Sequence, residues 1–390
     1  MNVLLVHNRY GKFSGEELVF DSQRTLLAQN GWQVITFERR SEDIARLVMG
    51  RFRAFTNGVY NSSAKNSIRK QLAECRPDVV HIHNLFPLIS PAVLPECRRA
   101  GVPVVMTVHN YRLVCPNGLH MIDGRVCEKC KGGKEYWCVL RNCEGSLGKS
   151  LGYALRNYVA RIRRYYLDNV SAYAALTEFQ RQRMTTEGFP ADRISVVPNM
   201  CMPNGFQPSN GLGDHVGYVG RLSPEKGVSD LLVAARMLSR VPFRAAGSLD
   251  RMPALPGQAS ANLQFVGHLE QEALDRFYIA SRMIVVPSTW YEGFPNVIVQ
   301  AMMMGKPVVC SRIGGLPEIV DDGVTGLLFE PGNAADLAEK IRYLWDRPDL
   351  CRQMGQAGRE KALHTYSPEK YYERIMAVYE KAIELGAPQS

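Results

Sequence analysis

"STWYEGFPNVIVQAMMMGKPVV", residues 288–309, opens polar and then turns into an unbroken apolar run. Gly293 and Pro295 mark a tight lead-in to a helix, with proline in the first turn, where its missing N–H costs nothing. Gly305, Lys306 and Pro307 close that helix and start a new apolar run, KPVVCS (306–311). A similar run, RMIVVPS (282–288), precedes it. Short runs rich in β-branched residues and bounded by Gly, Pro or Ser read as parallel strands buried on both faces. The stretch is therefore the helix of one strand–helix–strand unit. At its mouth stands Glu292, and Gln300 lies eight residues further on. Helical residues in that number cover about 12 Å at ~1.5 Å each.

The same alternation runs outward in both directions. Upstream come NVLLVH (2–7), QVITF (33–37), DVVHIHN (78–84), VPVVMTVHN (102–110), AYAALTE (172–178) and ISVVPN (194–199), with helical patterns between them. "PNMCMPNGFQPSNGLGDH" (198–215) has no period and is the linker expected between two halves. After it HVGYVGR, PFRAAGS and LQFVG resume the pattern, and the tail from 333 is helical, with Pro348 and Pro368 at helix starts. The expected architecture is α/β: two doubly wound, Rossmann-like domains facing each other across a cleft. Ligands in such sheets sit at the carboxyl ends of the strands.

Composition narrows the class. The 390 residues suffice for two domains with cores of their own, and 46% hydrophobic with 22% charged residues belongs to a globular chain, not a disordered one. No stretch reaches the ~20 apolar residues of a membrane span. MNVLLVHNRYGK lacks a signal-peptide layout, so a cytoplasmic protein is expected, either free or peripheral at the inner face of the membrane. The net charge of +9 suits an anionic partner, such as nucleotide phosphates or a phospholipid surface. No nucleic-acid-binding signature accompanies it, so nucleic acid is excluded.

Chemistry concentrates where strands end. In "YVGRLSPEKGV" (218–228) Gly220 and Arg221 leave a strand and Lys226 starts a helix. A guanidinium can grip two phosphate oxygens and an ammonium can neutralise the same group; the alternative is a surface loop with two solvated cations. In the opening stretch the amides around Gly293, Phe294, Asn296 and Val297 form a helix N-terminus that favours an anion. Glu292 can accept hydrogen bonds from sugar hydroxyls and Gln300 can bond those of a ribose. The spacing fits a nucleotide-diphosphate sugar laid along the helix; otherwise Gln300 merely interrupts an apolar face.

GRLSPEKG, PSTWYEGFPN…QAM, GKPVV and GGLPEIVDDGVTGLLFEPGN, in that order, resemble the C-terminal domain of family-4 retaining glycosyltransferases of GT-B fold. The N-terminal half resembles that family more loosely, through strand one, a glycine loop, DVVHIH, VMTVHN and VVPN. The resemblance implies an N-terminal acceptor-side domain (1–200) with a Cys-rich insertion at 115–143. It also implies a donor domain (201–365) and a last helix (366–390) packing back on the first. It implies sugar transfer from a nucleotide-diphosphate sugar to a hydroxyl of a glycan or lipid-linked acceptor, with retained configuration and no catalytic metal. Arg221 and Lys226 would hold the pyrophosphate and Glu292 the sugar ring. Gln300 departs from the Glu usual at that place. Gly15, in "NRYGKFSGEE" (8–17), would match the glycine loop, and His109, closing VVMTVHN, would lie beside the donor sugar and act in catalysis. The other reading of His109 is a satisfied core histidine. Rival functions are a GT-B sugar-nucleotide epimerase and a non-catalytic nucleotide-sugar-binding subunit.

Two features stand apart. "CPNGLHMIDGRVCEKCKGG" and the following residues carry Cys115, Cys127, Cys130, Cys138 and Cys143. The Cys-x-x-Cys turn suits structural zinc, with Cys115 and Cys143 completing the set and Cys138 spare, or else the thiols are reduced and pack an insertion. "LGYALRNYVARIRRYY" (151–166) sets Leu151, Leu155, Tyr158, Val159, Ile162 and Tyr166 on one helical face, with Arg156, Arg161, Arg163 and Arg164 off it. Such a helix either rests on anionic lipid or turns its apolar face to the core.

Overall fold

The computed structural model describes residues 1–10, 15–46, 50–202 and 211–386. The chain divides into two compact units: Met1–His120 with Glu128–Asn199 and the chain from Tyr371 onward, and Met121–Cys127 with Met200–Lys370.

The first unit is built on β1 (Asn2–Arg9), β2 (Gln33–Arg40), β3 (Val79–Asn84) and β4 (Val104–Val108). After a two-stranded hairpin, β5 (Met121–Ile122) with β6 (Arg125–Val126), come its last strands, β7 (Ala172–Ala175) and β8 (Ile194–Val196). The order β2-β1-β3-β4-β7-β8 is parallel throughout. Val3, Leu4, Leu5 and Val6 are fully buried, as expected for a strand covered on both faces. The order reverses between β1 and β3, and this is the unit's topological switch point.

The second sheet uses β9 (His215–Val219), β10 (Phe243–Ala246), β11 (Leu263–Gly267), β12 (Ser281–Val286), β13 (Val308–Ser311) and β14 (Gly326–Phe329). Its order, β11-β10-β9-β12-β13-β14, is again all parallel and switches between β9 and β12. Its core joins Val216, Tyr218, Phe243, Met283 and Val285 from the sheet to Leu231, Leu337 and Ile341 from helices. Residues 203–210 of the linker expected at 198–215 lie outside the described residues.

The last helix, Pro368–Gly386, completes the first unit with polar contacts as well as apolar ones. Tyr371 donates its hydroxyl to Gln23 Oε1 at 2.7 Å, and the Tyr379 hydroxyl lies 2.7 Å from His81 Nδ1.

The helix expected over 151–166 runs instead from Leu147 to Ile162 and breaks at Arg163 and Arg164, the latter left-handed at φ 49°. Tyr166, placed on the apolar face by sequence, is buried in the next helix. Arg156 is buried too: its guanidinium donates to the Pro116 carbonyl at 2.6 Å and lies 4.2 Å over the Phe86 ring. Burial without a carboxylate partner pulls its pKa down to about 10. The helix thus turns a small-residue and arginine side inward, and its apolar stripe does not serve the core.

Candidate functional site

In the second unit the named residues gather at the switch point. Gly220 follows β9 and donates its amide to the Ala246 carbonyl at 3.0 Å, which fixes the turn away from the sheet. A short 3-10 turn, Pro224–Lys226, carries the lysine and ends at Gly227, left-handed at φ 69°. A Cβ on Gly227 would stand 1.6 Å from the Pro287 carbonyl oxygen, so only glycine lets this turn lie against the end of β12. That approach sets the ammonium of Lys226 2.6 Å from Glu292 Oε1. Ser288 donates its hydroxyl to the same oxygen at 2.6 Å. Glu292, a carboxylate 4% exposed, is thus stabilised by a cation and a hydroxyl, as a buried charge requires. Gly314 crosses just behind it, where an added Cβ would meet the Glu292 backbone at 3.0 Å.

Arg221 does not join this pair. Its guanidinium is half exposed and faces Glu225 at 3.4 Å, a contact worth little in water. Two donors nearby are buried without a hydrogen-bond partner among the described residues: Ser223 Oγ and Trp290 Nε1. Lys226 Nζ lies 5.4 Å from the Trp290 ring centroid. Orphaned donors beside a charged pair mark a place prepared for an acceptor-rich ligand.

The helix Asn296–Met303 begins where expected, behind Pro295 and with no side chain capping it. Asn296 and Val297 are half-buried at its start. Phe294 is buried and packs edge-on against Tyr366, so its side chain supports the turn. Gly293 is buried in that turn. Gln300 differs from expectation: its Oε1 accepts the hydroxyl of buried Tyr278 at 3.0 Å. The amide oxygen already has a partner 22 residues away, one that the spacing within the helix did not reveal.

In the first unit, histidines line the strand ends. His109, just past β4, is half-buried, and its Nε2 lies 2.9 Å from His83 Nδ1 with the rings stacked at 24°. His83 stacks in turn on His81, whose Nε2 meets Thr107 Oγ1 at 2.7 Å. His7 in β1 stacks on Phe20, and both its ring nitrogens are buried without a partner. Burial holds His81 and His109 neutral, with pKa values lowered to about 3, and His7 to about 4. His83 is likewise pushed well down. A small cavity borders His83, Asn84, Phe86, His109, Asn110 and Arg112. Arg112 donates to the Tyr10 hydroxyl at 2.7 Å, and that hydroxyl reaches Glu16 Oε2 at 3.2 Å. Burial raises the Glu16 carboxyl to about 7. Gly15 opens the helix that carries Glu16, and residues 11–14 of the expected glycine loop lie outside the described residues.

The zinc set expected from Cys115, Cys127, Cys130 and Cys143 is not assembled: among the described residues no group of three or more His, Cys, Asp or Glu is placed to hold a metal. Cys138, expected as the spare thiol, is buried and hydrogen-bonds Cys143, while Cys115, also buried, donates its Sγ to Asn117 Oδ1 at 3.0 Å. Sequence reading missed Ser288, Ser223, Trp290, Tyr278 and His83. The last had a visible signal, since His81 and His83 share one face of a strand that is otherwise apolar.

The family described as "Glycosyl transferases group 1" matches residues 208–361, and the "Glycosyl transferase 4-like domain" matches residues 23–200. Among curated relatives, a glycogen synthase of Mycobacterium tuberculosis is 28% identical over 302 residues, 73% of this chain and 64% of the relative. The MMP alpha-(1→4)-mannosyltransferase of Mycolicibacterium hassiacum is 32% identical over 205 residues, 49% of each chain. An uncharacterized 42.6 kDa protein in the cps region of Klebsiella pneumoniae is 26% identical over 265 residues, 67% of this chain and 64% of its own. The chain thus spans between about half and just under two thirds of the length of these relatives. Among solved structures, sucrose-phosphate synthase from Thermosynechococcus elongatus superposes with a TM-score of 0.73 at 17% identity, covering 98% of this chain and 99% of the other. Anabaena HepE in complex with UDP and glucose gives 0.67 at 19%, covering 97% and 99%. At such identities the likeness is one of fold.

Proposed function

We propose that this chain, which belongs to the group 1 glycosyl transferases and has their GT-B fold, moves a sugar from a nucleotide-diphosphate sugar to a hydroxyl of a glycan or lipid-linked acceptor. The reading includes retained configuration and a place in polysaccharide assembly, at the anionic inner face of a membrane. The donor belongs to the second unit and the acceptor to the first.

The observation that carries it is the Lys226–Glu292 pair at the switch point between β9 and β12. In the transfer, the bond from the anomeric carbon to the diphosphate oxygen breaks and the acceptor oxygen bonds that carbon from the same face. The acceptor's proton passes to an oxygen of the departing diphosphate. Negative charge grows on that diphosphate, and Lys226 and Arg221 are the cations to oppose it, so no metal is required for this duty. Ser223 Oγ and Trp290 Nε1 supply the neutral donors. Glu292, held by Lys226 and Ser288, accepts from hydroxyls of the donor sugar. His109, neutral and fixed by His83, offers a dipole to the sugar without bringing a charge that would repel the developing positive centre.

The test is transfer assayed with a panel of nucleotide sugars, chosen by the thermal stabilisation each gives. Arg221→Ala and Lys226→Ala are expected to lower kcat/KM about a hundredfold or more each, since each removes a group that acts as charge develops. Near-normal kcat/KM in both variants would sink the pyrophosphate assignment. Release of an altered nucleotide sugar with no acceptor present would replace transfer by epimerisation.

A further inference from the structure

We infer that the helix Leu147–Ile162 and the short helix Tyr136–Leu140 packed against it form a docking face for a bilayer containing anionic lipid. Beyond the transfer chemistry, this names the surface of the first unit that meets the membrane.

Sixteen large apolar side chains are exposed among the described residues, and seven of them lie within 136–162. Five belong to the longer helix: Leu147, Leu151, Leu155, Tyr158 and Ile162. At about 100° per residue they fall within a stripe roughly 80° wide. Leu140 and Tyr136 are exposed on the helix packed beside it. All seven are between 37% and 70% exposed. Large apolar side chains gathered on one exposed face mark a place of interaction. The stripe is not a misplaced core face. The inward side of the helix is already filled by Ser150, Gly152, Ala154, Arg156 and Ala160.

Charge selects the occupant. Arg141 and Lys149 are exposed at one end of the helix, and Arg163 and Arg164 at the other. The acidic groups close by are already engaged or withdrawn. Glu135 is buried and paired with Arg161 at 2.7 Å, Asp168 is paired with Arg164 at 2.9 Å, and Glu144 is half-buried with its carboxyl pushed up by burial. An apolar stripe flanked by exposed cations, Arg141 and Lys149 at one end and Arg163 at the other, fits a sheet of acyl chains under anionic headgroups better than it fits a second copy of itself, whose cations would repel.

The test is co-sedimentation of the full chain, without donor or acceptor, with phosphatidylcholine vesicles containing about a third phosphatidylglycerol. Its outcome is therefore independent of the transfer reaction. The parent protein is expected to sediment with these vesicles, to release as salt is raised, and to stay in solution with pure phosphatidylcholine. The double variant Leu151→Asp, Ile162→Asp, exposed at both sites and expected to keep the parent melting temperature, should lose more than tenfold in binding. Arg141→Glu with Arg163→Glu should lose a similar factor while leaving the apolar stripe intact. A parent that ignores anionic vesicles, or a Leu151→Asp, Ile162→Asp variant that binds as well as the parent, would overturn the inference. A parent dimer that the same variant turns into a monomer, with no vesicle binding, would assign the face to a second copy instead.

Discussion

Gln300 has one duty in the fold and a second only in the proposed donor site. Its amide oxygen accepts the Tyr278 hydroxyl at 3.0 Å, and its place in the helix behind Glu292 is the one where a ribose would be read. Gln300→Ala leaves the buried Tyr278 hydroxyl without its acceptor, at a cost of about 1–3 kcal/mol. It should also raise the donor KM with little change in kcat, because ribose contacts are alike in ground and transition states. Gln300→Glu keeps an acceptor for Tyr278 and adds a second for the ribose, so stability and donor KM should both hold or improve. Urea denaturation and donor kinetics on the two variants separate the duties. An unchanged KM in Gln300→Ala leaves only the structural one. The position was legible in sequence because it lies at a fixed spacing from Glu292, in the helix that follows it. Tyr278 was not, because it arrives from another helix. Lys226 and Glu292 were each legible from their own motifs, but the 2.6 Å bond between them spans 66 residues and is a product of β9 and β12 lying side by side.

At the scale of elements, the turn between β9 and the helix Val228–Met237 is tightly specified. Gly227 is left-handed at φ 69° and its α-carbon faces the Pro287 carbonyl, where a Cβ would stand at 1.6 Å. The clash is with backbone at the end of a buried strand, so no side chain can yield to relieve it. Gly227→Ala should therefore lower stability by more than ~2 kcal/mol and raise the donor KM, because Lys226 is displaced from Glu292. Gly257→Ala, where nothing lies within 4 Å of the added Cβ, is the control and should be near neutral. Equal unfolding midpoints for the two variants would show that the turn adapts. Elements with a strong period or punctuation were legible: the strands, and the helices starting at Pro348 and Pro368. The helix at 147–162 was legible in type but not in orientation. Periodicity finds the apolar stripe, but which side faces inward depends on Arg156 finding the Pro116 carbonyl and the Phe86 ring.

For the whole molecule, two doubly wound sheets were legible because each strand is an apolar run buried on both faces. Strand order was not, since pairing depends on which way each crossover turns. Nor did the sequence reveal that one unit carries most of the buried imidazole. His7, His81, His83 and His109 all belong to the first unit and stay neutral in the fold, with His81 and His109 lowered to about 3 and His7 to about 4. The second unit buries only His215 among the described residues, lowered by burial but partly sustained by Asp214 at 2.6 Å. In an unfolded chain each imidazole titrates near 6.5. As pH falls below that value, the unfolded state takes up protons that the folded state refuses until about 4 or 3. Stability is therefore full above about 6.5 and falls with pH, by up to ~1.4 kcal/mol per pH unit for each such histidine. Four such groups in one unit and one in the other predict that acid opens the first unit before the second. Hydrogen-exchange mass spectrometry at pH 7.5 and pH 5, corrected for the intrinsic pH dependence of exchange, should find protection lost in β1, β3 and β4 while β9 and β12 keep theirs. Loss at the same rate in both sheets would mean that the histidines are not the groups that set the acid limit.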